Sequence, residues 1–277
     1  MRLTVFDVEH GQCSLLETDA DGHILIDCGH NATTGWRPSE YLPRIGVTAI
    51  DRLFITNADE DHASDLHNLR QAAVGITSLN RNPTVSSSNI RQLKDQDLGA
   101  GIDALCEMLD TYNSPLMPNP RIDEVSYRNY WNKYPEFDNE NDLSMVTFFD
   151  FNGSSICFTG DMTRKGWLGL LRDPSFRAEL PNTTIFFASH HGREDGCCEE
   201  LYTVGGLAPV VTIISDGGIQ HATQETRQWY ANRSSGFQLN GQTRRVLTTL
   251  NDGNIEMNID ADGSIQIWLA ALENEFS

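Results

Sequence analysis

Seven consecutive residues, Thr56-Asn57-Ala58-Asp59-Glu60-Asp61-His62, carry a hydroxyl, an amide, three carboxylates and an imidazole. Carboxylate and imidazole are the donors of a divalent-cation site. Packed this densely they are costly unless a cation, water or hydrogen bonds neutralise them. Taken alone, the stretch reads equally as a solvated acidic loop with an aspartate capping the next helix. It follows Arg52-Leu53-Phe54-Ile55, an apolar run expected to be a buried strand.

Three further apolar runs end in residues of the same chemistry. Ile156-Cys157-Phe158 leads into Thr159-Gly160-Asp161, and Ile185-Phe186-Phe187-Ala188 into Ser189-His190-His191-Gly192. Val211-Thr212-Ile213-Ile214 leads towards Ser215-Asp216 and His221. Each has an ordinary explanation: Asp161 as a helix cap, either histidine as an interior side chain, His221 as a surface residue. Four such ends together fit a site assembled at one edge of a sheet, where rigid strands present loop residues.

The elements that would position these ends alternate in type. Leu3–Val8, Cys13–Thr18 and His23–Cys28 read as short strands, with a hairpin at Asp21-Gly22 because glycine accepts positive φ. A helix is expected near Ser39–Ile45, a second over Ala63–Ala73 with Leu66, Leu69 and Ala73 on one face, and a strand at Ile76–Leu79. Ser144–Phe151 and Ser154–Thr159 read as a second hairpin, turning at Asn152-Gly153. Helices follow near Arg164–Leu171, Cys198–Val204 and Gln224–Ala231, between strands at Thr184–Ser189 and Val210–Ser215. Three strands, Arg244–Leu250, Asn254–Asn258 and Ser264–Leu269, close the chain. Strands then helices, twice over, imply a mixed sheet sandwich with helices on its outer faces. Residues 80 to about 141 break the pattern and read as an irregular insertion within a single domain spanning 1–277, with helix-like spacing surviving only over Ile90–Leu109, at Leu93, Ile102, Leu105 and Leu109. It is either a lid or a peripheral segment. Its aromatic residues Tyr127, Tyr130, Trp131 and Tyr134 suit base stacking or a small satellite core.

Composition narrows the function classes. Lysine and arginine number 20 against 39 aspartates and glutamates, a formal charge of −19. Such a surface repels a polyanion unless a metal, a local basic patch or a partner chain intervenes. Arg81, Arg91, Lys94, Arg164 and Lys165 are the residues that could form that patch. No apolar run is long enough to cross a bilayer and no signal peptide is evident, so a cytoplasmic protein is expected. The six cysteines make no Cys-x-x-Cys pair and read as reduced, mostly buried thiols.

The ordered set of motifs resembles the metallo-β-lactamase superfamily, and within it the hydrolase domain of the bacterial competence protein ComEC and its stand-alone relatives. Phe6-Asp7-Val8-Glu9-His10-Gly11-Gln12 and His23-Ile24-Leu25-Ile26-Asp27-Cys28-Gly29 echo the opening block. Asn57-Ala58-Asp59-Glu60-Asp61-His62 echoes the metal motif, and Asn141-Asp142-Leu143-Ser144, Thr159-Gly160-Asp161 and His190-His191-Gly192 echo later elements. The resemblance implies a four-layered αββα sandwich. It also implies a site of one or two divalent ions, Zn²⁺ or Mn²⁺, held by Asp59, Asp61, His62, Asp161, His190 and His221, with Asp161 bridging. His190 is preferred to His191 as the ligand because it lies nearer the strand end. The family's first histidine is Asn57 here, whose amide oxygen is a weaker donor than imidazole.

The activity implied is hydrolysis of a phosphodiester, nucleic acid included, by metal-activated water. Asp61 would orient the nucleophile and His191 would protonate the leaving oxygen. The acidity points to a protein partner if the substrate is DNA. Two other readings share the sequence. One is a degenerate member acting as a binding or regulatory subunit, with Asn57 marking the decay. The other is a hydrolase of a small ester, lactone or thioester.

Overall fold

The structure is a computed structural model that describes residues 1–95, 97–114, 118, 119, 121–217 and 226–270. Strand residues alternate strictly between two destinations, and this alternation creates the layers. Leu16, Ile24, Ile26 and Phe54 face one core, while their neighbours Leu15, Leu25 and Leu53 face another. Likewise Phe149, Ile156 and Phe187 point inward where Phe148, Cys157 and Phe186 point outward. A sheet buried on both faces has to be covered on both.

Two sheets satisfy that demand. The first has seven strands in the order β17 (Ile265–Ala270), β16 (Asn254–Ile259), β1 (Arg2–Val5), β2 (Ser14–Glu17), β3 (His23–Ile26), β5 (Arg52–Phe54) and β7 (Leu79–Asn80). The second has six, β15 (Val246–Thr248), β12 (Val211–Ile214), β11 (Thr183–Phe187), β10 (Ser154–Phe158), β9 (Met145–Phe151) and β8 (Ser126–Trp131). Two small pairs accompany them: β4 (Ala49–Ile50) with β6 (Gly75–Ile76), and β13 (Phe237–Leu239) with β14 (Gln242–Arg244). Helices α1 (Pro38–Arg44), α2 (Leu66–Gln71), α3 (Ser87–Leu93) and α4 (Ala100–Thr111) cover the first sheet. Helices α5 (Arg164–Leu170), α6 (Pro174–Glu179), α7 (Glu199–Thr203) and α8 (Arg227–Ala231) cover the second. The architecture is the αββα sandwich expected.

The parallel strands matter most for the site. β3, β5 and β7 run parallel, as do β10, β11, β12 and β15. Their carboxyl ends therefore gather on one edge, where ligand sites of such sheets form. The two sheets are tied together at that edge by Met145 N–H donating to the Thr56 carbonyl at 2.7 Å.

Several boundaries differ from expectation. Ile76–Leu79 is two separate two-residue strands, because β6 pairs with β4 while β7 pairs with β5. Arg244–Leu250 breaks into β14, β15 and the start of a one-turn helix, α9 (Thr249–Asp252), whose N-cap is Thr248. The described residues of 80–141 include two helices and a strand that belong to the main layers. Helices α3 and α4 complete one outer layer, and β8 extends the second sheet antiparallel to β9. Tyr127, Tyr130 and Trp131 lie on β8 and pack into the two cores of the second sheet, not into a satellite cluster. Tyr134 packs against the helices of the first layer. All six cysteines are free.

Phe149 sits at the centre of the inter-sheet core, its ring 4.9 Å from Phe54 and 5.8 Å from Phe158. Replacing it with alanine removes a fully buried ring where facing sheets cannot collapse. A loss of about 3–5 kcal/mol is expected, read as a lower urea midpoint with unchanged m-value.

Candidate metal centre

Four side chains converge at the shared edge: Asp61 and His62 after β5, Asp161 after β10 and His191 after β11. Their donor atoms all lie within 4.8 Å of one another. His62, Asp161 and His191 are nearly inaccessible, while the Asp61 side chain keeps 24% of its exposure. The site is thus closed on the protein side and open at Asp61.

Local geometry explains each placement. Asp27 follows β3 with φ of 59°, a left-handed conformation that aspartate tolerates better than most residues. Its carboxylate accepts the Thr56 backbone N–H at 2.7 Å and the Thr56 hydroxyl at 2.5 Å. It faces His62 Nδ1 at 2.8 Å, which leaves His62 Nε2 pointing at Asp161 Oδ1, 3.0 Å away. Asp161 is oriented in turn by its N–H, which donates to Ser144 Oγ at 3.0 Å. The Asp61 turn packs against Gly11 and Gly29, where a Cβ would lie 2.6 Å from the Asp61 carbonyl oxygen. Glycine is required at both positions by that approach. Glu60 points the other way and accepts N–H bonds from Gly101 and Ile102, clamping the turn to the first turn of α4.

The histidine pair resolves against the expected assignment. His190 and His191 have φ of 52° and 51°, so the chain reverses in two left-handed residues. This swings His191 to the cluster, with Nε2 3.2 Å from Asp61 Oδ2 and 3.4 Å from Asp161 Oδ1. His191 Nδ1 donates to the Ser215 carbonyl at 3.0 Å. His190 turns away: its Nδ1 faces Asp195 at 2.8 Å and its Nε2 accepts from Arg193 at 3.0 Å. His191 therefore occupies the position expected for His190, and its Nε2 is not poised as the proton donor first assigned to it. Asp59 also stands apart, with Lys94 Nζ 3.1 Å from its Oδ1. Asn57 donates from Nδ2 to Asn141 Oδ1 at 3.0 Å. His221 lies outside the described residues.

The electrostatics follow from burial against charge. Burial opposes ionisation of Asp161, yet His62 and His191 outweigh it and hold that carboxyl far below the usual range. Asp61 is likewise lowered: burial works against this, and His62 and His191 prevail. Burial pulls His62 down, but Asp161, Asp27 and Asp61 raise it well above 6.5. His191 is raised by Asp161 and Asp61 against the same burial. The donors thus form interlocked ion pairs in the metal-free protein.

The donor set fits a divalent cation. Two imidazoles and two carboxylates suit Zn²⁺ or Mn²⁺. His191 Nε2 is buried with no hydrogen-bond partner, although two carboxylates lie beside it. The cluster borders a cavity of about 10 Å³, lined by Asp27, Thr56, His62, Asp161, His191 and Ser215. That is room for about one small sphere. The Asp27–His62 contact is the outer carboxylate that commonly fixes a ligating imidazole.

Three contributors were given no role from the sequence. Asp27 and Thr56 act through His62. Arg193 donates to His190 and, from its other terminal nitrogen, to His10 Nε2 at 2.8 Å. His10 stacks on His191 with ring centroids 4.4 Å apart. The signal available was Arg193 lying two residues beyond the histidine pair.

Carboxylates and imidazoles converge at the carboxyl ends of parallel strands in an αββα sandwich, and together they could hold a divalent ion. The family model of the metallo-beta-lactamase superfamily matches residues 6–201, and the chain belongs to that superfamily, whose members are mostly metal-dependent hydrolases. Several solved structures are similar to the chain. CmlA, a diiron β-hydroxylase from Streptomyces venezuelae, is 14% identical with a TM-score of 0.51. That likeness covers 89% of this chain and 53% of CmlA. Igni18, a metallo-hydrolase from Ignicoccus hospitalis, is 11% identical over 97% of this chain and 99% of its own, with a TM-score of 0.47. Zn²⁺-bound PqqB from Methylobacterium extorquens is 10% identical over 81% and 79%, with a TM-score of 0.44. No curated protein sequence matches the chain. Among the described residues, no helix is long and apolar enough to cross a membrane.

Two outcomes are expected. Asp27→Asn weakens zinc binding about 10–100-fold, measured by competition with a chromogenic chelator. The second concerns pH. The raised His62 and His191 stabilise the metal-free fold fully below about 6.5, and that contribution fades as pH rises through their raised values. A cation requires the same nitrogens deprotonated. The rise in Tm on adding zinc should therefore grow as pH increases above neutrality, read by differential scanning fluorimetry across a pH series.

Proposed function

We propose that the chain is a metal-dependent phosphodiesterase acting on a short phosphodiester, a nucleotide or an oligonucleotide end. A divalent ion held by Asp61, His62, Asp161 and His191 would supply an activated water nucleophile and polarise a phosphoryl oxygen.

The observation that carries the phosphate reading is Arg193. Among the described residues no carboxylate lies within ion-pair distance of its guanidinium, in a chain with a charge of −19. It donates instead to His190 and His10, and a guanidinium has no acceptor, so each imidazole must present a lone pair. An arginine whose charge is left over at the rim of a cation site matches the planar oxygens of a phosphate. His10 accepts from Arg193 at the nitrogen that faces Asp61, and so positions the guanidinium on the open side of the cluster. Asp61, the most exposed of the four donors, orients the attacking water from the open side.

Short substrates are favoured over long nucleic acid because, among the described residues, Arg81 alone of the five basic residues that could form a patch makes no ion pair. Arg91 pairs with Asp103, Arg164 with Glu200, and Lys165 with Asp138 and Asp142. They leave little free charge to follow a phosphate backbone. Extended DNA would call for a partner chain to supply the grip, and a cytoplasmic setting suits either substrate.

The reading predicts cleavage of bis(p-nitrophenyl) phosphate stimulated by Mn²⁺ or Zn²⁺ and lost in Asp161→Asn. Arg193→Ala should lower kcat by about 10²–10³-fold, the cost of removing one preorganised oxyanion donor, while metal content stays unchanged. Metal-replete protein that opens esters or lactones but no phosphodiester would overturn the substrate class. Folded protein that binds no metal and turns over nothing would support the regulatory-subunit reading.

A further inference from the structure

One half of the expected metal motif faces a cation that belongs to the chain itself. Lys94 follows α3 and reaches across to the Asp59 turn, its Nζ 3.1 Å from Asp59 Oδ1 and 3.6 Å from Glu140 Oε1. Its side chain is only 14% exposed, so the stem is packed and the ammonium is held between two carboxylates. Asp59 Oδ1 has a second duty: it accepts the Glu60 N–H at 2.9 Å and caps the 60–62 turn. Asn57, next along the same loop, is 2% exposed and spends its amide N–H on Asn141. Its Oδ1 is buried without a hydrogen-bond partner. That is one neutral oxygen against the three or four protein donors a divalent ion normally takes. The four converging donors include neither Asn57 nor Asp59.

We propose that this chain carries a single-metal centre, with the Lys94 ammonium in place of a second divalent ion as the counter-charge of Asp59. The inference rests on the proposed metal-dependent activity and concerns the number of ions it uses. A second divalent ion at Asp59 would have to displace Lys94 or sit against its like charge, and it would find only an amide oxygen at Asn57. Two residues therefore act together. The amide at 57 offers no imidazole donor, and the lysine at 94, just past α3, removes the need for a cation. Neither residue contacts the Asp61, His62, Asp161 and His191 cluster, so a complete site stands beside a filled one. A single ion with an open position suffices for hydrolysis in zinc enzymes generally.

The test counts ions and does not read turnover. Metal-free protein is equilibrated with excess Zn²⁺, dialysed, and its bound zinc measured by plasma emission against protein concentration. Wild type should hold one ion per chain. The double variant Asn57→His with Lys94→Met, which restores the imidazole and removes the ammonium at similar side-chain length, should hold a second, more weakly bound ion. Folding of both is checked by circular dichroism melts. Two ions on wild type overturn the inference while leaving the metal-dependent reading intact. No zinc on folded wild type overturns that reading itself. A folded double variant that still holds one ion overturns the role given to Lys94.

Discussion

His62, buried between two aspartates, is the contact on which the site depends. Asp27 belongs to the end of a strand in one sheet and Asp161 to the end of a strand in the other, so the carboxylate–imidazole–carboxylate line crosses the seam of the sandwich. In a nearly water-free setting such a line is favourable only if every proton and lone pair has a partner. Thr56, Ser144 and the peptide groups around them provide those partners. The Thr56–Met145 backbone bond beside it holds the two sheets in register at the same point.

From that line the rest of the edge follows. The Asp61–His62 turn must approach the β1–β2 and β3 loops closely, which glycines at 11 and 29 permit. The left-handed pair at 190 and 191 brings one imidazole into the cluster and sends the other to Asp195 and Arg193. Backbone strain of this kind, about 1–3 kcal/mol per residue, persists only where the surroundings over-determine it. Here the surroundings are two charged carboxylates and the Ser215 carbonyl.

The helices of residues 80–141 give the centre its asymmetry. Helix α4 takes Glu60 at its N-terminus, and the residue following α3 sends Lys94 to Asp59. One side of the motif is thereby turned into a structural clamp, while the other side keeps its donors and its opening. Arg193 balances this on the opposite rim, where its charge is shared between two imidazoles.

Much of this was legible in the residues alone. Apolar runs bounded by turn residues, such as Ser144–Phe151 before Asn152-Gly153, marked the strands, and ligand-type residues at four strand ends pointed to chemistry at one edge. Asp61, His62 and Asp161 could be named because they sit in motif loops that follow apolar runs. The preference for His190 over His191 did not match the structure, since adjacent residues differ only in backbone torsion and positive φ leaves no mark in residue type. Asp27 read as part of a motif, but its role required the packing of β3 beside β5. Within 80–141 the helical spacing of Leu93, Ile102, Leu105 and Leu109 was legible, but the edge strand β8 was not, because its polar and aromatic residues are held by the cores they cover. What Asp59 binds depended on a lysine 35 residues away. A carboxylate's partner is set by which charge the tertiary structure brings within a few ångströms, and no spacing in the chain encodes that distance.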